Sequence, residues 1–183
     1  MKKLTATEMN RLTVDEFRAS EKMPLTVVLD NIRSQNNIGS VFRTADAFRV
    51  EHIALCGICS TPPHRDIHKT ALGAEDSVAW SYYENTAECL HNLKERGYKI
   101  FAVEQVDDSI KLGDSEIEIN GSKLAIVFGN EVDGVDESLL PLCDACLEIP
   151  QYGTKHSLNV SCAAAIVIWE MFKNLKVCCN DKD

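Results

Sequence analysis

The feature that most constrains the fold of this chain is a regular alternation of short apolar runs with helix-like segments. Runs rich in branched and aromatic residues predict strands at 25–30, 52–56, 78–83, 98–103, 123–128 and 145–149. Apolar residues at helical spacing predict helices at 39–48, 86–96, 136–140 and 157–175. This order predicts an α/β fold with a mostly parallel sheet and helices on both of its faces.

The N-terminal segment differs from this pattern. Residues 6–22 predict one or two short amphipathic helices, which Pro24 should end before the first strand begins. A chain of 183 residues is long enough for one domain with a proper core. We therefore expect a single domain over 1–183, with residues 1 to about 23 as a short helical extension.

Proline and glycine mark the ends of several predicted elements. Two prolines lie in 60–77, which predicts a long connector with one short helix. Pro141 should end the helix at 136–140, and Gly97 should cap the helix that precedes it. The last helix, 157–175, is mostly apolar, so we expect it to be mostly buried.

The bulk properties exclude several classes of protein. Hydrophobic residues make up 45% of the chain and charged residues 26%, as in ordinary globular proteins. No apolar run approaches the ~20 residues that a membrane helix needs. The N-terminal residues include two lysines but no apolar stretch, so they do not form a signal peptide. We expect a cytoplasmic protein.

Eight cysteines raise the question of a zinc site. Cys56–Cys59 and Cys143–Cys146 are both CxxC pairs, and Cys178 and Cys179 lie near the end of the sequence. Two CxxC pairs can supply four thiolates for zinc, whereas a cytoplasmic location argues against disulfides. The two pairs lie far apart and border apolar runs, which favours free thiols in the core. We predict no metal.

Three polar segments stand where an apolar run meets a predicted helix. They are Asn37-Ile-Gly-Ser-Val-Phe-Arg43, Gly129-Asn-Glu-Val-Asp-Gly134 and Ser157-Leu-Asn-Val-Ser161. Each has a purely structural interpretation: Asn37 can cap a helix, the second segment can be a glycine-rich turn, and Ser157 or Asn159 can cap the last helix. Ligands in parallel sheets bind beyond the carboxyl ends of the strands, so the three segments can also form one site.

In this order, the three segments resemble the motifs of the SPOUT RNA methyltransferases of the SpoU/TrmH class. The resemblance covers roughly two thirds of the chain. It implies methyl transfer from S-adenosylmethionine to a ribose 2′-hydroxyl of RNA. It also implies a C-terminal trefoil knot, from roughly residue 100 to the last helix, and a homodimer in which both subunits build each active site.

The resemblance also implies site residues. The residues matching the catalytic positions are Asn37, Arg43, Glu131, Ser157 and Asn159. Those matching the cofactor positions are Val103, Glu104, Gly129, Ile149 and Leu158. The cofactor carries no phosphate, which agrees with the absence of a phosphate-binding glycine motif.

Arg43 follows Asn37 by six residues, as the motif arginine follows the motif asparagine in this class. A guanidinium binds phosphate in two places, which suits a residue near the target ribose. Its role in proton removal stays open, because arginine rarely gives up a proton. Arg43 can orient the ribose, a substrate phosphate can help to move the proton, or His156 can act as the base.

A net charge of −9 is unusual for a protein that binds RNA, which needs a basic face toward the phosphates. Arg33, Arg65 and Lys69 are the basic residues expected to supply that face. The segment at 61–69, which contains Arg65 and Lys69, can equally be a solvated loop. A transfer RNA guanosine is the first candidate substrate and ribosomal RNA the second. The alternative function is a non-catalytic protein that binds RNA or senses the cofactor on the same scaffold.

Overall fold

A seven-stranded sheet forms the centre of the computed structural model, which describes residues 1–5, 8–113 and 123–175. The strands are β1 Met23–Asp30, β2 Val50–Cys56, β3 Ala79–Tyr83, β4 Tyr98–Val103, β5 Ile110–Lys111, β6 Lys123–Phe128 and β7 Ala145–Glu148. They lie in the order β3-β2-β1-β6-β4-β7-β5, and every neighbouring pair is parallel. The predicted parallel sheet is therefore confirmed, and β5 is a strand that was not predicted.

Helices cover both faces of this sheet. They are α1 Val14–Ala19, α2 Gln35–Ala47, α3 Arg65–Ala71, α4 Ala74–Ser77, α5 Thr86–Glu95, α6 Val160–Leu175 and a 3₁₀ helix at Glu137–Leu142. Successive strand residues point to opposite faces, so Val27 joins a core with α2, α3 and α6. Val28 joins a second core with α5 and the 3₁₀ helix. This arrangement confirms the prediction of helices on both faces.

The helix of the first motif begins earlier than predicted. It starts at Gln35, and Ser34 is its N-cap, with the Ser34 hydroxyl accepting a hydrogen bond from the Asn37 amide at 3.3 Å. The interpretation of Asn37 as a capping residue is wrong, because Asn37 already lies inside the first turn. Its side chain is consequently available for other contacts.

Two prolines do not end the helices that they were predicted to end. Helix α1 ends at Ala19, and Pro24 is the second residue of β1, where a strand tolerates the missing amide donor. Pro141 lies inside the 3₁₀ helix rather than at its end, since a short helix loses only one hydrogen bond there. Gly97, by contrast, follows α5 with a φ of 79°, as a C-terminal cap requires.

The connector at 60–77 forms two helices, α3 and α4, where one was predicted. Leu72 and Gly73 both have positive φ angles, 54° and 94°, and separate the two. On the N-terminal side, Phe17 of α1 is buried in the larger core, and the Arg18 guanidinium donates to the Asp76 carbonyl of α4 at 2.6 Å. Helix α1 is therefore packed against the rest of the fold.

Helix α6 is buried along one side only. Val160, Ala164, Val167, Ile168 and Met171 are buried, whereas Cys162, Ile166 and Trp169 form an exposed stripe. The prediction of a mostly buried helix is wrong for this stripe, because composition alone does not show which side of a helix meets the core. An apolar stripe of this kind is a candidate contact surface.

Some predictions are not tested by the strands and helices described above. The trefoil knot and the single domain with an N-terminal extension stay predictions. Cys178, Cys179 and the acid-rich residues 114–118 lie outside the described residues. Within the described ranges, no helix is both long and apolar enough to cross a membrane.

Candidate active site

A cavity of about 560 Å³ lies beyond the carboxyl ends of β4, β6 and β7. The structure brings all five predicted cofactor residues to its wall: Val103, Glu104, Gly129, Ile149 and Leu158. Three of the five predicted catalytic residues also line it, namely Glu131, Ser157 and Asn159. The second and third motifs therefore face one another across a single cavity.

The loop of the second motif closes tightly on itself. The Asn130 amide donates to the Gly134 carbonyl at 3.0 Å, and the Gly134 amide donates back to the Asn130 carbonyl at 3.1 Å. A Cβ at Gly129 would lie 1.9 Å from the carbonyl carbon of Gly134, so no side chain fits there. The closure of the loop alone therefore requires glycine at 129.

Glu104 and Gln105 tie the walls of the cavity together. The Glu104 carboxylate accepts hydrogen bonds from the Val135 amide at 3.0 Å and from the Gln105 amide at 2.9 Å. The Gln105 side-chain amide donates to the His156 carbonyl at 2.9 Å. The loop after β4 therefore holds both the second motif and the segment before the third motif.

Asn37, Glu131 and Asn159 form a connected group. The Asn37 Nδ2 donates to Glu131 Oε1 at 3.0 Å, and the Asn159 Nδ2 donates to Asn37 Oδ1 at 3.2 Å. Asn159 also caps α6, because its Oδ1 accepts from the Ser161 amide at 2.9 Å. One amide side chain thus joins all three motifs, and the capping role predicted for Asn159 is confirmed.

The Glu131 carboxylate is held in its charged form. Burial raises its pKa, but hydrogen bonds from the Arg33 amide, the Asn37 side chain and the Ser34 amide together bring the pKa below its ordinary value. The two backbone donors lie 3.1 Å from the carboxylate oxygens. Glu131 is consequently an ionised acceptor that fixes the start of α2, rather than a proton donor.

Ser157 and His156 lie in an exposed segment at the mouth of the cavity. The Ser157 hydroxyl makes no hydrogen bond with any described residue, so it is free to meet a ligand, and Asn159 rather than Ser157 is the cap of α6. His156 lines the cavity, and its backbone carbonyl is engaged by Gln105. Both side chains can reach a bound substrate.

Arg43 lies apart from this group. Six helical residues at about 100° each place it roughly 120° around α2 from Asn37, and it does not line the cavity. Its side chain is exposed and makes no hydrogen bond or ion pair with the described part of the chain. The structure therefore does not bring Arg43 to the other four predicted catalytic residues.

The three predicted RNA-binding residues fall in two places. Arg33 is exposed beside the second motif, where it lines a separate cavity with Asp133 and Asp136. Arg65 and Lys69 lie on α3, with exposed side chains. The structure therefore places basic side chains on the surface around α2, but not inside the cofactor cavity.

The charge of the main cavity indicates the kind of ligand it can hold. Four carboxylate residues line it, namely Glu104, Glu131, Asp133 and Glu148, and the described lining contains no lysine or arginine. Apolar contacts come from Phe128, Leu147, Ile149, Leu158 and Val160. Such a wall disfavours phosphate and suits a cationic ligand with a flat apolar part. A sulfonium nucleoside without phosphate has these properties.

The cysteines of the two CxxC pairs are poor metal ligands. Burial raises the pKa of the Cys59 thiol to about 11 and that of the Cys143 thiol to about 11. A hydrogen bond with Cys89, together with burial, raises the pKa of Cys56. Metal binding needs thiolates, and the described residues contain no group of three metal-ligating side chains in a suitable arrangement.

Two residues around the cavity, Asn130 and Gln105, were not predicted to have a role. Asn130 was quoted in its motif without a role, yet its Oδ1 accepts hydrogen bonds from the Val132 and Asp133 amides at 2.8 and 2.9 Å. An asparagine at the start of a glycine-bounded turn is the signal that predicts this. Gln105 carried no such signal, because its partner is 51 residues away in the sequence.

Comparisons with known proteins identify the family of this chain. Residues 24–169 match the model of the SpoU rRNA Methylase family. The chain is 31% identical over 165 residues to the tRNA (guanosine(18)-2'-O)-methyltransferase of Thermus thermophilus, covering 90% of this chain and 82% of that protein. It spans 63% and 64% of the length of two staphylococcal relatives of the TrmH family.

Solved structures show the same fold. The AdoMet-bound rRNA methyltransferase from Sinorhizobium meliloti superimposes with a TM-score of 0.77 at 25% identity, covering 87% of this chain and 60% of that one. The TrmH/SpoU tRNA modifying enzyme of A. aeolicus also gives a TM-score of 0.77, at 24% identity, covering 89% of this chain and 82% of that one. The architecture of the sheet and of its flanking helices is thus shared with these proteins.

Proposed function

Because the chain belongs to the SpoU methylase family, we propose that it transfers a methyl group from S-adenosylmethionine to a ribose 2′-hydroxyl of RNA. The observation that carries this proposal is the junction of Asn37, Glu131 and Asn159 at the edge of the carboxylate-lined cavity. Its two hydrogen bonds connect residues of all three motifs, which supports a single site.

The cofactor-binding part of the proposal rests on the cavity. Its acidic wall complements the positive charge of a sulfonium, and its apolar residues offer a surface for adenine. Residues Val103, Glu104, Gly129, Ile149 and Leu158 would hold the cofactor, which supplies an activated methyl group when bound. Methyl transfer of this kind needs no metal.

The polar residues at the mouth would position the RNA. Glu131 keeps Asn37 and the start of α2 in place, and Asn37 in turn orients Asn159. The free Ser157 hydroxyl would contact the ribose, and His156 beside it is a candidate base, since both residues line the cavity. Correct placement of the 2′-hydroxyl can supply much of the rate, because the methyl group is already activated.

Arg43 is the reason to propose a homodimer. Its guanidinium is exposed and lies outside its own subunit's cavity, so a second subunit offers the way to bring it to an active site. On α6, which packs against α2, Ile166 and Trp169 are 42% and 49% exposed. Burying this stripe against a second copy would remove apolar surface from water and bring α2 to the interface.

The dimer has a direct test. Trp169→Asp should convert dimers to monomers in sedimentation experiments and lower methyl transfer along with them. Leu4→Asp changes an equally apolar exposed residue at the N-terminus and should leave the association unchanged. A wild-type protein that sediments as a monomer at micromolar concentration would contradict the dimer.

The substrate is proposed to be RNA, with a transfer RNA guanosine first and ribosomal RNA second. The names of the relatives from Thermus thermophilus and Sinorhizobium meliloti include one of each kind. Arg33, Arg65 and Lys69 would contact phosphates despite the net charge of −9. An enzyme that acts on these RNAs is expected in the cytoplasm.

RNA contact through α3 can be measured by charge reversal. Arg65→Glu combined with Lys69→Glu should weaken RNA binding and reduce its dependence on salt, since fewer phosphates are neutralised. Lys94→Glu changes an exposed residue on α5, across the sheet, and serves as the control. Unchanged affinity of the double variant at low salt would remove α3 from the RNA surface.

The main experiment detects the product. Unmodified transfer RNA and ribosomal RNA transcripts are incubated with the protein and a methyl-labelled cofactor, digested to nucleosides and analysed by mass spectrometry. A labelled 2′-O-methylnucleoside is expected from one of the two RNAs. Binding of RNA and cofactor without any labelled nucleoside would instead support the non-catalytic alternative.

A further inference from the structure

A third cavity lies between α3, α4 and β3, toward the opposite edge of the sheet from the cofactor cavity. Its volume is about 660 Å³. The residues that line it are Pro62, Pro63, His64, Arg65, His68, Glu75, Asp76 and Trp80. None of these residues belongs to the three family motifs, and the proposed methyl transfer uses none of their side chains in its chemistry.

The walls of this cavity are flat. Trp80 is half-buried and packs against the larger core, which fixes its indole. Two prolines provide a second rigid apolar surface. The His64 ring is also held in place, because its Nδ1 accepts a hydrogen bond from the Asp66 amide at 3.2 Å. Fixed aromatic surfaces of this kind are stacking platforms for nucleobases.

One cationic side chain at the cavity, that of Arg65, is free to meet a phosphate. The Glu75 carboxylate is already engaged, with the His68 Nδ1 at 2.5 Å and the Gly73 amide at 3.0 Å. Asp76 is exposed, and Arg18 is bound to its backbone carbonyl rather than to its carboxylate. Arg65 is exposed and makes no hydrogen bond or ion pair with any residue that the structure describes. A free guanidinium beside a stacking surface matches a nucleotide.

The cavity is rigidly connected to the helix of the first motif. Helix α3 approaches α2 so closely that a Cβ at Gly39 would lie 2.3 Å from the Ile67 carbonyl oxygen. The Thr70 hydroxyl also donates to the Asn36 carbonyl at 2.9 Å. Asn36 is the neighbour of Asn37, so a nucleotide held on α3 would be kept at a constant distance from the reacting ribose.

We propose that this cavity binds an unstacked base of the RNA substrate, at a nucleotide other than the methylated one. The base stacks on Trp80, and its phosphate pairs with Arg65. This inference rests on the proposed function, which makes RNA the substrate. It assigns a role to a site that would select RNAs with an unpaired nucleotide at a set distance from the target.

Tryptophan fluorescence tests the stacking directly. The chain has two tryptophans, so quenching by a short oligoadenylate is compared between the wild type and Trp80→Phe, which retains Trp169. Stacking of adenine on the indole should quench the wild type, and most of the quenching should disappear in Trp80→Phe. Equal quenching in both proteins, or none in either, would overturn the proposal.

RNA affinity provides a second measurement. Trp80→Ala should weaken binding of the substrate RNA about fivefold or more, which is the lower end of the effect of losing one base–aromatic stack. Arg65→Ala should also weaken it, whereas Lys94→Ala removes the same charge from the opposite face and should have no effect. Thermal unfolding shows whether each variant is folded. If Trp80→Ala does not fold, Trp80→Leu replaces it, because leucine keeps apolar volume but cannot stack on a base.

The outcomes separate this proposal from the proposed function. If the wild type methylates RNA but Trp80 is not quenched, the proposed methyl transfer is supported and base binding in this cavity is contradicted. Another ligand, such as a protein segment, would then occupy the cavity. Trp80 quenching by RNA without methylation would support the cavity and contradict the enzyme. If only Arg65→Ala weakens RNA binding and the Trp80 variants bind RNA normally, Arg65 contacts a phosphate but no base stacks on Trp80. That result would contradict the proposal.

Discussion

Asn37 and Glu131 lie 94 positions apart and are joined by a hydrogen bond of 3.0 Å from Asn37 Nδ2 to Glu131 Oε1. The other end of the same amide accepts a hydrogen bond from Asn159. The orientation of Asn37 is therefore fixed by its two partners, because an exchanged oxygen and nitrogen would place like groups together. Hydrogen bonds between side chains of the protein itself thus join the three motifs, and groups held in this way need little reorganisation during a reaction.

Glu131→Gln should destabilise the protein at neutral pH by about 1 kcal/mol. Each carboxylate oxygen accepts a backbone amide, from Arg33 or Ser34, and a glutamine would turn an NH₂ group toward one of them. The value lies below the usual range for hydrogen bonds to a charged group, because Glu131 is largely exposed and solvent screens its charge. Urea denaturation of both proteins at pH 7 gives the difference in free energy of unfolding.

The pH dependence of this difference has a defined direction. The pKa of Glu131 lies below its ordinary value of 4.5 in the folded protein, so its contribution is complete above pH 4.5. The contribution is lost as the pH falls through the lowered pKa, and the two proteins should then become equally stable. Glu95→Gln, at an exposed carboxylate on α5, should show neither effect. A difference that grows with falling pH would contradict the prediction.

Gly39→Ala should destabilise the protein by about 2–3 kcal/mol, as overpacking of a rigid contact does. The added Cβ would meet the Thr70 hydroxyl at 2.2 Å and the Ile67 carbonyl at 2.3 Å, and the carbonyl cannot move without shifting α3. Gly153→Ala is the matched control, because a Cβ there meets no atom within 4 Å. Equal denaturation midpoints for the two variants would show that α2 and α3 can separate at no cost.

The sequence predicted the central strands well. Strands β4 and β6 have the predicted limits, since a fully buried strand is a continuous apolar run bounded by polar residues. Strand β5 has only two residues and therefore no pattern to recognise. The start of α2 was misjudged because both Ser34 and Asn37 are good capping residues, and only the fold decides between them.

The site was predicted unevenly for a similar reason. Motif residues such as Gly129 and Leu158 are recognisable by their neighbours in the sequence, and the structure places them together. Contacts between distant segments, such as that from Gln105 to His156, follow only from tertiary packing. Arg43 does not line the cavity, because its place depends on how α2 is turned in the fold, and the spacing of the motif does not give that.

Cofactor binding should not depend on zinc. Burial raises the pKa of the Cys59 and Cys143 thiols to about 11, so a metal ion would have to displace a proton that is held more tightly than usual. Protein treated with a chelator and dialysed should give the same calorimetric binding heat for S-adenosylmethionine as untreated protein. Stoichiometric zinc in the purified protein, together with loss of binding when it is removed, would contradict this prediction.

Arg43→Ala should lower the single-turnover rate of methyl transfer by about a hundredfold or more, as loss of a charged group at the reacting centre does. Cofactor affinity should be nearly unchanged, because Arg43 lies outside the cavity that Gly129, Ile149 and Leu158 line. Sedimentation should show the same oligomeric state, since the substitution removes no apolar surface from α6. Rate and affinity are measured on the same preparations.

Arg43→Lys separates charge from geometry. An ammonium keeps the charge but cannot bind phosphate or ribose oxygens in two places, so we expect this variant to fail as well. Arg96→Lys makes the same change at an exposed residue beyond α5, where the guanidinium lies 5.4 Å from the centre of the Tyr98 ring, and should methylate normally. Wild-type rates in Arg43→Lys would show that charge alone suffices. Equal losses of rate and cofactor affinity in Arg43→Ala would place the residue in the cofactor site or the fold, and would remove it from the catalytic role.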